Sequence, residues 1–575
     1  MDAWPSRLDD FSSVWVVDFE FRCPDGERPE PRCMVAREYR SGQTIRLWLH
    51  KEEHASPFKE TDLLVAFYAS AEIGCFLALG WKIPKHTLDL YPEFKNYMKG
   101  RKAFQSSGLL GAAAQFGINS ITTTESKDEF RSLAQKESFT TSERQQLLEY
   151  CEQDVIVTEK LLRAMLSVIP NLSQALLRGR YMNAAAFIER SGIPIDMEMF
   201  RLIQENWETL KKGLIQEVDI DFGVYENGSF KTDRWLRYCN ENAIAWPLLE
   251  SGRPDFKEET FREMSKLHPN VNPIRELRFT LDKLKLNNLH VGADGRNRYL
   301  LSAFGSLTGR NQPSNTKSIF GPATWLRNLI KPAKGMAIAY IDYEQQEFGI
   351  AAAMSGDKNM MEAYNSGDPY LTFAKQAGAV PLDATKKSHP TERDLYKATA
   401  LAVQYGMGAK SLGERIGKSE HHGLALLRNH KSTYPDYWKW SNNAEARGMM
   451  GIPLQTVFGW ATLGREPVKA LTFRNFPAQA NGAEMLRTAI IGLIEAGITI
   501  CAPVHDAVLV EGPIEEIENL VKCSQNIMEA ASRVILDGFT IRTDAKVIRY
   551  PDRYSDPRGV EMWNKVTKLL NKFQE

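Results

Sequence analysis

The sequence predicts an α/β protein of two or more domains, and three observations carry that reading. At 575 residues the chain exceeds what one hydrophobic core usually supports. Apolar runs that end in acids, VWVVDFE at 14–20 and MAIAYIDY at 336–343, read as buried strands. Helical runs stand between them, and from about residue 170 to about residue 300 the pattern is mostly helical.

Lys+Arg and Asp+Glu balance at 72 each, so a polyanion would be gripped by local basic patches rather than by net charge. The seven cysteines form no CxxC pair, which argues against a zinc site or disulfide framework and fits a reducing cytoplasm. The start, MDAWPSRLDDFSS, has no basic segment leading into an apolar run. No stretch of about 18 apolar residues occurs, so neither secretion nor a membrane span is expected. The absence of a fixed-period repeat or a low-complexity tract excludes solenoid and linker-rich readings.

In the first strand, period 2 puts Asp18 and Glu20 on one face, although paired acids are common on surface strands and D-x-E alone says little. In VAFYASAEIGCFLALGW, residues 65–81, an extended stretch turns into a short apolar helix near Glu72, an acid that also suits a helix N-terminus. The periodic run SERQQLLEYCEQDVIVTEKLLRAML predicts a helix from about Ser142, with Tyr150 and Asp154 four residues apart and hence on one face. Together these segments offer four carboxylates, whose hard oxygens suit Mg²⁺ or Mn²⁺, and a phenol able to orient a water.

This ordered trio resembles the DEDD-type exonuclease domain, in its tyrosine variant, found beside many family A polymerases. Against the usual V-G-H-N-x-x-F-D pattern the chain reads V-A-F-Y-A-S-A-E, so Glu72 replaces the aspartate and Tyr68 stands where asparagine is common. The resemblance implies an RNase H-like 3′–5′ exonuclease domain over residues 1–170. In it two divalent cations, held by Asp18, Glu20, Glu72 and Asp154, generate a hydroxide and stabilise the departing oxygen of a phosphodiester.

The helical stretch beginning LLRGRYMNAAAFIERSGIPIDMEMFRLI has Lys and Arg interspersed, which read as solvated faces. SLTGRNQPSNTKSIFG, residues 306–321, is a loop rich in Gly, Pro, Ser and Asn just before a strand. That strand ends at Asp342, and an acid where a buried strand ends is well placed for a site. In TERDLYKATALAVQYGMG, residues 391–408, Arg393, Lys397, Leu401 and Tyr405 recur every four residues. Each step drifts about 40° round a helix, so all four share a face about 120° wide. Two cations, an apolar group and a ring in that order suit a nucleoside triphosphate, and Lys397 could protonate a pyrophosphate leaving group. ITICAPVHDAVLVEGP, residues 498–513, reads as two apolar strands around a tight connection carrying His505 and Asp506.

These segments resemble, in order, the signature elements of family A, the bacterial DNA polymerase I-like DNA polymerases. TGR at 308–310 resembles the T-G-R loop. D-Y-E-Q-Q-E at 342–347 resembles motif A, D-Y-S-Q-I-E, with Glu344 and Gln346 substituted. The helix of Arg393 resembles motif B, R-x-x-x-K-x-x-x-F-G-x-x-Y-G, with Leu401 where members carry Phe or Tyr. RNFPAQANGAEMLRTAI at 474–490 resembles the N-x-P-x-Q-G segment, and His505-Asp506 resembles motif C, H-D-E, with Ala507 in place of the last acid.

The resemblance implies a right-hand fold after the exonuclease: connecting helices and thumb over 171–305, a first part of the palm over 306–360, fingers over 361–450 and a second part of the palm over 451–575. It implies template-directed DNA synthesis from dNTPs by two-metal phosphoryl transfer, with Mg²⁺ or Mn²⁺, two ions per active site, held by Asp342 and Asp506. Arg310 would contact primer and incoming nucleotide, and Glu347 would lie beneath the incoming sugar and exclude a ribose 2′-hydroxyl. Arg393 and Lys397 would meet the phosphates, Leu401 the sugar and base, and Tyr405 would stack at the insertion site. Gln479 would track the minor groove, where acceptors are similar in every base pair, so that pair shape is tested without reading sequence. Gln345 and His505 complete the substrate set. The implied partners are primer-template DNA, dNTPs and other replication proteins, met by a monomer in the cytoplasm of a bacterial host. With no 5′-nuclease domain expected before the exonuclease, the arrangement looks like a bacteriophage replicative polymerase.

Two other classes compete. A nuclease-dominant repair enzyme with a decayed polymerase half is suggested by Leu401 and Ala507 and opposed by Asp342, Lys397 and Asp506. A non-catalytic DNA-binding or processivity factor is opposed by six placed acids, which near DNA would only repel phosphate.

Overall fold

The fold is that of a computed structural model, which describes residues 7–102, 106–119, 124–249, 251–283, 289–321, 324–465, 467 and 469–574. Near the start, Val14–Arg22 forms the middle of a five-stranded sheet. Glu30–Glu38 and Thr44–Trp48 add antiparallel strands on one side, while Leu63–Ala66 and His86–Asp89 add parallel strands on the other. Strands buried on both faces read as continuous apolar runs, as Val14, Val16, Val17 and Leu63–Ala66 do. The helices Ser70–Leu79 and Leu90–Met98 follow the two parallel strands, and the long helix Thr141–Met165 covers one face through Leu147, Cys151, Val155 and Leu162.

The helix Leu172–Ser191 joins this sheet to the rest. Gly179 lets it approach the strand His86–Asp89 closely, since a Cβ there would lie 1.8 Å from the Thr87 carbonyl oxygen. Its Tyr181, Met182 and Ala185 belong to an apolar cluster that also holds Phe19 and Phe76 of the first unit and Ala337 and Ile341 of a second sheet.

That second sheet is antiparallel, in the order Thr499–Val504, Ala507–Pro513, Met336–Tyr343, Thr543–Arg549. On its strand Met336–Tyr343 the residues Ala337, Ala339, Ile341 and Tyr343 face one core and Ile338 the other. Period 2 puts Asp342 on the side of Ile338 and Tyr340, at the strand end. Between the T-G-R loop and this strand the structure inserts a 3₁₀ helix, Thr324–Leu329, where the sequence predicts a direct approach.

Helices between residues 197 and 283 enclose Trp235, Phe261 and Leu277 in a core shared with the last helix, Val560–Gln574. A second helical group, from Gln346–Ser355 to Pro435–Met449, packs through these two helices on the 26-residue helix Ala470–Glu495, which also meets the strand Thr499–Val504. Among the described residues no helix is long and apolar enough to cross a membrane.

Candidate functional site

On the second sheet, Asp342 has Ala507 directly across on one side and Asp544 on the other. Asp506 sits in the two-residue turn before Ala507, where His505 takes φ 56°, a left-handed conformation uncommon for residues other than glycine. The turn thereby brings the two carboxylates together. Burial, then the charge of Asp506, pushes Asp342 up to about 6. Burial also raises Asp506, against the pull of Arg310 and His505. Arg310 reaches in from its loop, with Nη2 3.6 Å from Asp506 and 3.7 Å from Glu347. Burial raises the Glu347 carboxyl, Arg310 opposes that rise, and the Gln479 side chain is a hydrogen-bond partner. A cleft of about 540 Å³ opens here, lined by Arg310, Glu347, Tyr405, Arg487, His505 and Asp506. Gln345 begins the helix Gln346–Ser355 with φ 45°.

The cationic helix spans Pro390–Gln404, and Tyr405 caps it. Arg393 Nε donates to Asp368 Oδ2 at 2.5 Å, and the Tyr370 ring lies beside both cations, 5.9 Å from Arg393 Cζ and 5.8 Å from Lys397 Nζ. Lys397 is exposed and Leu401 half-buried. Tyr405 is 49% exposed, and its phenol is raised first by the charge of Glu347. The helix face read from four-residue spacing therefore runs from Arg393 at the outer end to Tyr405 beside the acids.

In the first sheet, Asp18, Glu20 and Asp154 bring carboxylate oxygens within 4.8 Å of one another. Tyr150 Oη donates to Asp154 Oδ2 at 3.2 Å, as their spacing on one helix face predicts. Glu72 is not part of that close group. It is buried, raised well above the usual range by burial and then by Asp18, and its Oε2 has no hydrogen-bond partner. The turn leading to its helix is held by Asp89, which accepts from the N–H groups of Tyr68 at 2.9 Å and Ala69 at 2.7 Å.

Several partners carry no signal in the sequence. The Cys151 thiol donates to Asp18 Oδ2 at 3.3 Å. Arg487 Nη1 donates to the Gly309 carbonyl at 2.5 Å and Trp460 Nε1 to that of Leu307 at 3.0 Å, so both hold the loop that presents Arg310. Asp368 reads as a helix cap, which it is, and nothing local pairs it with Arg393. Gln346 is visible only as a substitution, yet its side chain meets Asp506.

A family model described as DNA polymerase family A matches residues 314–547. The chain is 22% identical over 411 residues to the DNA polymerase of Mycobacterium phage L5, covering 68% of this chain and 65% of that protein. It is 23% identical over 376 residues to the thermostable DNA polymerase I of Thermus aquaticus, covering 62% of this chain and 43% of that protein. It thus spans less than two thirds of the length of these relatives. In structure it is similar to the POL domain of Pol1 from M. smegmatis, solved in complex with DNA primer-template and dNTP. The TM-score is 0.73 at 16% identity, over 94% of this chain and 96% of that one, a likeness of fold. Asp342, the Arg393 to Tyr405 helix, Gln479 and Asp506 all lie inside the segment 314–547 that matches the model of DNA polymerase family A, and the relatives named above are DNA polymerases.

Proposed function

We propose that this protein is a DNA-directed DNA polymerase, acting in replication of DNA of the bacteriophage type, with a 3′–5′ proofreading exonuclease in its first sheet. The observation that carries the reading is a cleft lined together by Arg310, Glu347, Asp506 and the Tyr405 end of the cationic helix, with half-buried Asp342 close enough to Asp506 to feel its charge. In this reading residues 306–360 and 451–575 are the palm, 361–450 the fingers, 171–305 the connecting helices and thumb, and 1–170 the exonuclease.

Both acidic centres fit divalent cations. Burial raises both Asp342 and Asp506, the charge of Asp506 raises Asp342 further, and the Arg310 guanidinium at 3.6 Å and then His505 oppose the rise at Asp506. At the other centre three carboxylates converge within 4.8 Å beside an orphaned Glu72 oxygen. Oxygen-only donor sets suit Mg²⁺ or Mn²⁺. When bound, such cations activate the attacking hydroxyl or water and neutralise charge on the leaving group.

The chain's own residues do the rest. Arg393 and Lys397 bind the triphosphate, and Lys397 Nζ gives a proton to the pyrophosphate oxygen. Tyr405 stacks at the insertion site, Leu401 borders the sugar, and Glu347 fills the space a ribose 2′-hydroxyl would need. Arg310 exchanges Asp506 for primer and nucleotide, Gln479 follows the minor groove, and Gln345 and His505 border the substrate. In the exonuclease, Tyr150 orients the attacking water, while Asp18, Glu20, Glu72 and Asp154 are the cation ligands.

The test is extension and shortening of a labelled primer-template in Mg²⁺, with and without dNTPs, by the parent chain and by Asp342→Ala and Asp18→Ala. Extension should be lost only in Asp342→Ala and shortening only in Asp18→Ala. A parent that shortens primers and never extends them would instead be a nuclease-dominant repair enzyme.

A further inference from the structure

Gln346 is 3% exposed, an amide enclosed where the family pattern quoted above carries an isoleucine. A buried amide must find partners or destabilise the fold. The end of this one lies 3.0 Å from Asp506 Oδ1 and 3.2 Å from Oδ2. An amide oxygen there would face two carboxylate oxygens, so the network assigns Nε2 to that position, donating to Asp506. Gly482, on the helix Ala470–Glu495, makes the room: a Cβ at 482 would sit 2.9 Å from the end of the same amide.

Resting on the polymerase reading above, we propose that Gln346 is a positioning residue that holds Asp506 in its cation-facing rotamer, with Gly482 as the small residue that admits the amide. Asp506 has two partners of different kinds. Arg310 comes from a loop, is half-exposed on the cleft and stands 3.6 Å away, so substrate can draw it off. Gln346 comes from a buried helix turn next to Asp342 and stays. A carboxylate offers about four lone-pair sites, so a donor on one side leaves sites for a cation on the other. Partners that orient a metal ligand typically contribute about 10- to 100-fold in metal affinity.

The experiment compares full-length Gln346→Leu, Gly482→Ala and Asp506→Ala, each in an Asp18→Ala background that removes the first-sheet cluster from the readout. Mn²⁺ binding is followed by electron paramagnetic resonance of the free ion without DNA or nucleotide, and folding by thermal unfolding. Gln346→Leu should weaken Mn²⁺ binding about tenfold and raise the Mg²⁺ needed for half-maximal extension by a similar factor. The KM for dNTP at saturating Mg²⁺ should stay nearly constant. Gly482→Ala should shift both in the same direction by less, and Gln346→Leu should add nothing to Asp506→Ala. Should Gln346→Leu fail to fold, Gly482→Ala alone decides, because only the end of a flexible side chain has to move. If the parent extends primers and neither variant changes Mn²⁺ affinity or Mg²⁺ demand, the positioning role is wrong. If the parent does not extend primers, it is the polymerase reading that fails.

Discussion

In the polymerase proposed above, protons and divalent cations compete for Asp342, at the end of the strand Met336–Tyr343, and for Asp506, in the turn beside it. Asp342 is pushed up to about 6, above the ordinary 3.8, by burial and by Asp506. The folded carboxyl therefore keeps its proton until about pH 6, and a cation binds only after that proton leaves. The Mg²⁺ demand of primer extension should rise as pH falls through 6, approaching about tenfold per pH unit for one displaced proton, and should be flat above about pH 7. Mg²⁺ titrations of extension on both sides of pH 6 check this, and an unchanged midpoint would remove the coupling. Asp342 was legible in the sequence because an acid at the end of an apolar strand is a local pattern, whereas Asp506, in a turn, was legible only through the resemblance of His505-Asp506 to motif C. The role of Gln346 was not, because it depends on a hairpin about 160 residues further along the chain.

The helix Thr141–Met165 carries two of the residues assigned to the exonuclease, and its start is set locally. Thr140 accepts from the Glu143 N–H at 3.2 Å while Glu143 accepts from the Thr140 N–H at 2.8 Å, a reciprocal cap that satisfies two otherwise orphaned donors. Thr140→Ala should cost about 1 kcal/mol. It should speed hydrogen exchange in the first turn while leaving the Tyr150–Asp154 turn protected. Unchanged exchange would mean that packing alone sets this end. The helix Pro390–Gln404 is equally legible, with Pro at its first position and side chains repeating every four residues. The helix Ala470–Glu495 is less so, since Pro477 lies inside it. Proline there removes a hydrogen bond and normally ends a helix. Here burial of Phe473, Phe476, Met485 and Ile490 on a shared core outweighs that loss.

At the scale of the whole molecule, the two acidic centres are tied through the segment 454–463. Asn96 of the first unit donates to the Gly459 carbonyl at 3.0 Å and accepts from the Ala461 N–H at 2.7 Å. Trp460, between them, reaches the loop of Arg310. Arg178 locks the junction, meeting Glu93 through Nε at 2.5 Å and Nη2 at 2.8 Å and the Phe458 carbonyl through Nη1 at 2.9 Å. Both members of this pair are buried, so removing one strands the other. Arg178→Met should cost about 3–5 kcal/mol in urea unfolding, and Arg178→Met with Glu93→Leu should recover most of it. A double variant no more stable than the single one would show that the charges, rather than the packing, hold the units together.

By itself the sequence determined the local frame of both sites. Periods of 2 and 3.6 are properties of the backbone, so they assign Asp18 with Glu20, Tyr150 with Asp154, and Arg393 through Tyr405 to common faces before any fold is known. Only the tertiary structure decided which of those faces meet. It set Asp506 against Asp342 through one strand register, brought Arg310 and Gln346 onto the same carboxylate, and left Glu72 outside the close triad of Asp18, Glu20 and Asp154. These contacts join elements far apart in the chain, and their geometry comes from core packing, to which no local pattern responds.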